Sequence, residues 1–278
     1  MGNVIQTNIA SLNAQRNLFN TNNDLRTSFQ RLSSGFRINS AKDDASGLII
    51  SNQISKQVSG LNVAIRNAND GISLSQVAEG ALQEATNILL RMRDLSLQSV
   101  SGNTTASGRQ ALNAEFEQLT LEIGRIVSDT TFAGAAVLSQ AGGYSVNLQV
   151  GAEANSTDIT VTIANLNQAA GTGITVSAET ISTAPGASQA ITAIDAAIDT
   201  IDTLRGDLGA VQNRLTSTIN NLQNIIENSS AARSRIRDTD FAVETSNLAK
   251  NQVLQQAGLS ILSQANASGQ GILSLLQG

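Results

Sequence analysis

The chain has 278 residues, a net charge of −5, no cysteine and no histidine. That removes disulfides, thiolate nucleophiles, imidazole bases and nearly every transition-metal site, and it leaves no basic footprint for nucleic acid. Aromatics make up 3%, with no Trp and one Pro, so small aliphatics suited to long helices replace the aromatic mass of a compact core.

The first residues, MGNVIQTNIASLNAQRN, lack a basic region followed by an apolar run, so no cleavable signal peptide is expected. No segment approaches the length of an apolar membrane span. Ile5, Ile9 and Leu12 step by four and three, and Leu18, Leu25 and Leu32 form a neighbouring stripe with Phe29 and Phe36 beside it. This spacing predicts one amphipathic helix over residues 5–36. The polar stretch LSSGFRINSAKDDASGLIIS follows, from Leu32 to Ser51. It reads as a joint between helices.

Ile54, Val58, Leu61, Ile65, Ala68 and Ile72 then alternate steps of four and three, and after a shift Leu74, Val77, Ala81, Ala85, Ile88, Met92 and Leu95 continue the helix. GNTTASG, residues 102–108, breaks it. Leu112, Phe116, Leu119, Ile123 and Ile126 mark a third helix. In the middle, Tyr144, Val146, Leu148 and Val150 alternate, as do Ile159, Val161 and Ile163, which predicts a β-hairpin. Residues 164–190, rich in Ala, Gly, Thr and Ser, read as a loop with one short β-like run at Ile174–Val176. From Ile194 to Ile236 the apolar period is close to 3.5, a coiled-coil period. The last segment carries Leu254, Ala257, Ile261, Ala265, Ile272 and Leu275.

The expected fold is therefore mainly α: long antiparallel helices in a coiled-coil rod, a small β-hairpin region, and a helix pair built from the two chain ends. Charge is uneven along it. Residues 1–70 hold seven Lys/Arg against four Asp/Glu, whereas residues 141–210 hold Arg205 against seven acids. One stripe of a terminal helix can be buried by one partner helix, but the other stripes need further partners. Two arrangements supply them: a monomeric bundle with the ends packed on the central helices, or a lattice of identical copies with folding coupled to assembly. Periodicity does not choose between them.

Lys42, Asp43 and Asp44 are the nearest thing to candidate chemistry. No nucleophile motif joins them, and Asp and Ser before an apolar helix suit a capping role. Arg91, Arg93 and Asp94 in LLRMRDLSLQ read as a solvated helix face with Met92 and Leu95 inward. The glycines make no phosphate loop. No enzyme activity and no cofactor is expected.

IQTNIASLNAQRNL, LSSGFRINSAKDDASGLIIS, ANDGISLSQVAEGALQEATNILLRMRDLSLQS and the C-terminal SRIRDTDFAVETSNLAKNQVLQQAGLSILSQAN resemble bacterial flagellin, over about residues 1–150 and 190–278. The short region between them implies that the outer variable domains of longer flagellins are largely missing. The resemblance implies export through the flagellum's own type III apparatus, growth beneath a cap protein, and a hollow helical filament outside the cell. It implies a helix pair lining the channel, made by residues 1–44 (with the connecting spoke Lys42, Asp43 and Asp44) and 238–278, and ordered on polymerisation. Ile5, Ile9, Leu12, Leu25, Leu32, Leu254, Ile261, Ile272 and Leu275 are its expected assembly residues. Residues 45–140 and 191–237 would form the rod, and 141–190 a surface-facing hairpin and loop.

By position, Arg91, Leu95 and Glu115 match the helical surface recognised by the vertebrate Toll-like receptor for flagellin. The C-terminal helix matches the segment held by the flagellin export chaperone. The sequence departs from the family's pattern at Arg237, where an acid is common, and in ANASGQGILSLLQG, which lacks a proline often found there. The alternative is that the chain is itself a hook–filament junction protein, which shares the terminal helices; the continuous run of flagellin motifs disfavours it, and the resemblance implies such a protein as a partner instead. A protease embedded in the variable region would need a His-Glu-x-x-His helix, and the chain has no His. A glycan-binding adhesin is disfavoured by one Tyr and no Trp.

Overall fold

The structure is a computed structural model that describes residues 7–153, 158–166, 174, 176 and 179–277, with side chains described to residue 268. Five helices and four strands follow in chain order: α1 (Ile9–Ser34), α2 (Ala45–Val100), α3 (Ala106–Asp129), β1 (Thr131–Phe132), β2 (Ala135–Ala136), β3 (Tyr144–Gln149), β4 (Asp158–Ile163), α4 (Ala184–Arg237) and α5 (Phe241–Gln277). The mainly helical fold with a small hairpin matches the expectation from periodicity. Among the described residues, no helix is long and apolar enough to cross a membrane.

Helix bounds follow local capping chemistry. Among the described residues the first helix begins at Ile9, where the Asn8 side chain caps it by accepting the Ser11 N–H at 3.0 Å; the expected start at Ile5 lies outside the described residues. It ends at Ser34, because Gly35 takes the left-handed conformation (φ 74°) and closes the last turn with its N–H on the Arg31 carbonyl. Phe36 therefore lies beyond the helix and bridges to Asp238. The expected loop over residues 164–190 is shorter than read: α4 already starts at Ala184. Thr183 Oγ1 accepts the Gly186 N–H at 3.3 Å, and Pro185 is tolerated in a first turn, where its missing N–H would have no helical partner. Ala187 and Ala190 are buried there. Ile174 and Val176 are buried too, but neither lies in a strand. The β1–β2 pair, in the segment expected to belong to the helical rod, was not visible in the apolar period; it needs only the tight turn at Ala133 and Gly134, both at positive φ.

The described residues fall into two compact units. One is built from the chain's two ends, up to Lys56 and from Glu227; the other is Gln57–Ile226. In the second unit, α2 contributes Leu74, Ala78, Leu82, Ala85, Leu89, Met92 and Leu95 to one core, α3 contributes Phe116, Ile123 and Val127, and α4 contributes Ile194, Ile201, Leu204 and Leu208. The antiparallel β3–β4 hairpin pairs Val146 with Val161 and Leu148 with Ile159. Its alternation turns Ile159, Val161 and Ile163 inward, so a period-2 strand lies on a period-3.6 helix surface.

In the first unit, α1 and α5 pack antiparallel. Asn8 Nδ2 donates to the Ala265 carbonyl at 2.8 Å, Gln255 Nε2 to Asn22 Oδ1 at 2.8 Å, and Arg31 meets Glu244 at 3.6 Å. Gly35–Ile38 and Ile236–Thr239 also run together. The Arg37 N–H donates to the Arg237 carbonyl at 2.7 Å, and the Thr239 N–H to the Gly35 carbonyl at 3.0 Å. The Arg237 guanidinium lies 4.1 Å from the centroid of the Phe36 ring, so the residue that departs from the flagellin pattern makes a cation–π contact here.

Candidate functional site

The α1–α5 pair has an unusual seam. Its buried residues on α1 are Ser11, Ala14 and Ser28, small or polar, and Ser11 Oγ donates to Asn266 Oδ1 at 2.9 Å. Several of the large apolar residues point elsewhere. Ile9 is 56% exposed, Leu12 50%, Phe19 67% and Phe29 49%. On α5, Val253, Leu254, Leu259 and Ile261 are exposed as well. Leu25 and Leu32 are half-buried. A groove of about 360 Å³ opens between the helices, lined by Leu18, Thr21, Leu254, Ala257 and Ile261 among others. Gly258 permits this close approach, since a Cβ there would stand 3.3 Å from Leu18 Cδ1. Of the expected assembly residues, Ile5 lies outside the described residues, and Ile272 and Leu275 lie on α5 beyond its described side chains.

The joint after α1 uses its carboxylates internally. Asp43 Oδ2 accepts the N–H groups of Asn39 and Ser40 and the Ser40 hydroxyl, at 2.9–3.1 Å. Those backbone donors, Ser40 first, hold its carboxyl below the ordinary value of 3.8. Asp44 caps α2, accepting the Gly47 N–H at 2.9 Å. Lys42 is exposed and makes no hydrogen bond or ion pair among the described residues. Both aspartates are thus structural.

On the second unit the three expected receptor residues separate. Arg91 of α2 and Glu115 of α3 are exposed and joined: Nε and Nη2 both donate to Glu115 Oε1, at 2.9 and 2.7 Å. Leu95 is 1% exposed and belongs to the core between α2, α3 and α4. Although it lies one turn from Arg91, on nearly the same face, the packing of α3 and α4 on that side of α2 covers it. Arg93, read as part of a solvated face, is instead tied to Asp195 of α4 at 2.7 Å, and this hydrogen-bonded charge raises the guanidinium pKa. That pair joins residues 102 positions apart, a partnership no helical period encodes.

Among the described residues, no group of three or more His, Cys, Asp or Glu stands together as a metal site. What the molecule leaves uncovered is apolar helix surface on paired chain ends, the property of a structural subunit that associates with others. The family comparisons agree. Residues 5–142 match the bacterial flagellin N-terminal helical region and residues 191–276 the C-terminal helical region. Flagellin D of Vibrio cholerae serotype O1 is 37% identical, over 98% of this chain and 99% of that protein; flagellin B of Vibrio anguillarum is 36% identical with the same coverage. The first alignment runs over 374 positions, so that relative carries a stretch this chain lacks. A crystal structure of Bacillus cereus flagellin aligns at 30% identity and a TM-score of 0.48, covering 56% of this chain and 88% of that one.

The chain belongs to the bacterial flagellin family. It is a structural subunit of the flagellar filament, which assembles from copies of itself, and not an enzyme.

Proposed function

We propose that the paired chain ends, about residues 1–44 and 238–278, form the innermost, channel-lining layer of the filament and gain their full order there. Residues 45–140 and 191–237 are the surrounding rod, and 141–190 faces outward. The observation that carries this reading is the α1–α5 seam, which closes on Ser11, Ala14 and Ser28 while Ile9, Leu12, Phe19, Phe29, Leu254 and Ile261 stay exposed. Each such side chain, once buried, contributes about 1.5–3 kcal/mol. Neighbouring copies in a heterologous lattice supply that burial without limit.

The subunit leaves the cell through the flagellar export apparatus, escorted by a chaperone holding the C-terminal helix, and adds beneath a cap protein distal to the hook–filament junction proteins. The monomer meets the vertebrate Toll-like receptor for flagellin through Arg91 and Glu115, with Leu95 supporting α2 from beneath. Deleting residues 1–34 or 241–278 should abolish filaments in electron micrographs while leaving a soluble helical protein. Normal filaments from either truncation would overturn the inner-layer reading.

A further inference from the structure

The α1–α5 seam is too poor in large apolar side chains to set its own register. The covered positions of α5 step alternately by four and three from Glu244 to Ala265, the spacing of a heptad seam. Leu248 and Leu262 are the large apolar residues among them, and Gln255 and Gly258 also take seam positions. The buried residues of α1 that answer them are Ser11, Ala14 and Ser28. A seam of small residues packs about as well after a slide, because it offers no knob that fills one particular hole. The backbone bridges of the joint select no register either, since peptide N–H and C=O groups are alike at every position.

Polar side chains do select. Among the described residues, Arg31 meets Glu244 at 3.6 Å, Asn22 meets Gln255 at 2.8 Å, and Ser11 meets Asn266 at 2.9 Å. On α5 these rungs stand 11 residues apart at each step, about three full turns, so they share one side of the helix. On α1 they stand nine and 11 residues apart. A slide of 11 residues therefore brings rung close to rung. The two neutral rungs tolerate that exchange, because amides and hydroxyls both donate and accept. The charged rung does not. Glu244, 7% exposed, is the buried charged residue among those described, and after the slide it would face Asn22 with no cation to pair it. A buried carboxylate stripped of its partner is strongly unfavourable. The charges also suit their helix ends. Arg31 lies in the last turn of α1 and Glu244 in the first turn of α5, where the helix dipoles favour a cation and an anion respectively.

We propose that Arg31 and Glu244 are a register lock, the one rung of a polar ladder that cannot be exchanged for another. The lock sets the offset at which the exposed apolar faces of α1 and α5 are presented together to neighbouring copies. It rests on the reading of the chain ends as the assembling inner layer, and it names the side chains that position that layer. A polar contact in a helical seam specifies register at some cost in stability, so its loss shows as misalignment and not only as weaker pairing.

The test uses the full chain and two readouts. The first is the critical concentration for assembly, read by sedimentation. R31E and E244R should each raise it about tenfold or more. The swap R31E/E244R should assemble at about a fifth of either single variant's concentration or less, without reaching the wild-type level, because both charges then oppose the helix dipoles. The second readout is register. The chain has no cysteine of its own, so an engineered pair reports alone. L18C/G258C joins positions that touch, since a Cβ on Gly258 would stand 3.3 Å from Leu18 Cδ1. L18C/N247C reports the slide, because residue 247 lies about 16 Å away along α5, beyond a disulfide's reach. Assembled wild-type background should form the first disulfide and not the second. E244Q, which makes the charged rung neutral like the others, should form the second at the expense of the first. Single charge variants that assemble like the wild type, a swap no better than either single, or E244Q joined through G258C alone would each overturn the lock. Assembly of the wild type in the same assay separates those results from failure of the chain to polymerise at all.

Discussion

Asp43 shows how a residue that looks reactive becomes structural. Its carboxylate accepts three hydrogen bonds from Asn39 and Ser40 just before it, and they depress its pKa from 3.8. A carboxyl whose folded pKa is lowered stabilises the fold fully above its unfolded value and loses that contribution as pH falls through the folded value. The stability gap between wild type and Asp43→Asn, measured by denaturant titration, should therefore be widest above about pH 5 and shrink towards pH 2. A gap that stays constant across that range would remove Asp43 ionisation from the account. The receptor residues separate by the same kind of measurement. Arg91→Ala should weaken signalling by the monomer and leave its melting temperature unchanged, since an exposed pair is worth at most about 1 kcal/mol. Leu95→Ala should cost about 2–5 kcal/mol in stability, because it empties a core position. An Arg91 variant with an unaltered dose response would count against the receptor face.

At the scale of elements, the β3–β4 hairpin sits so close to α2 that glycine is required beneath it. A Cβ on Gly60 would stand 2.8 Å from the Ala152 carbonyl oxygen and 3.1 Å from its Cα. Both atoms are backbone, so the hairpin end or the helix must shift. Gly60→Ala should destabilise the monomer by about 1–3 kcal/mol, although alanine is the better helix former by about 1 kcal/mol. A gain in melting temperature would show that propensity outweighs the clash. The pairing of α1 with α5 obeys a different logic. Its hydrogen bonds from Asn8, Ser11 and Gln255 fix alignment, while its apolar side chains remain available to others.

For the whole molecule, this division explains why truncation should cost assembly and not solubility. The unit Gln57–Ile226 owns a continuous core from Leu74 through Phe116 to Leu208, with Leu82 and Ile201 fully buried. The unit made from the chain ends has Ala14, Ile38 and Ala265 as its buried apolar residues among those described. A helix pair with so little interior draws its order from partners. Charge follows part of the same division: the chain ends hold unpaired cations such as Lys42, whereas Arg91, Arg93 and Arg125 of the other unit are paired with its own carboxylates.

Spacing specified the body of each long helix, the β3–β4 hairpin and the return of the chain's end to its start, and the long motifs supplied the resemblance to flagellin. Periods of 3.6 and 2 state which residues share a face, and that information is local. Which face meets which partner is not local. Ile9 and Leu12 share a stripe in the sequence, yet the seam chose Ser11 and Ala14 instead. Leu95 lies one turn from Arg91, yet packing against α3 and α4 took it into the core. The Arg91–Glu115 pair and the Arg93–Asp195 tie each depend on side chains from different helices. Such contacts arise only when a packed core sets the helices' rotation about their axes, so the tertiary structure alone could decide them.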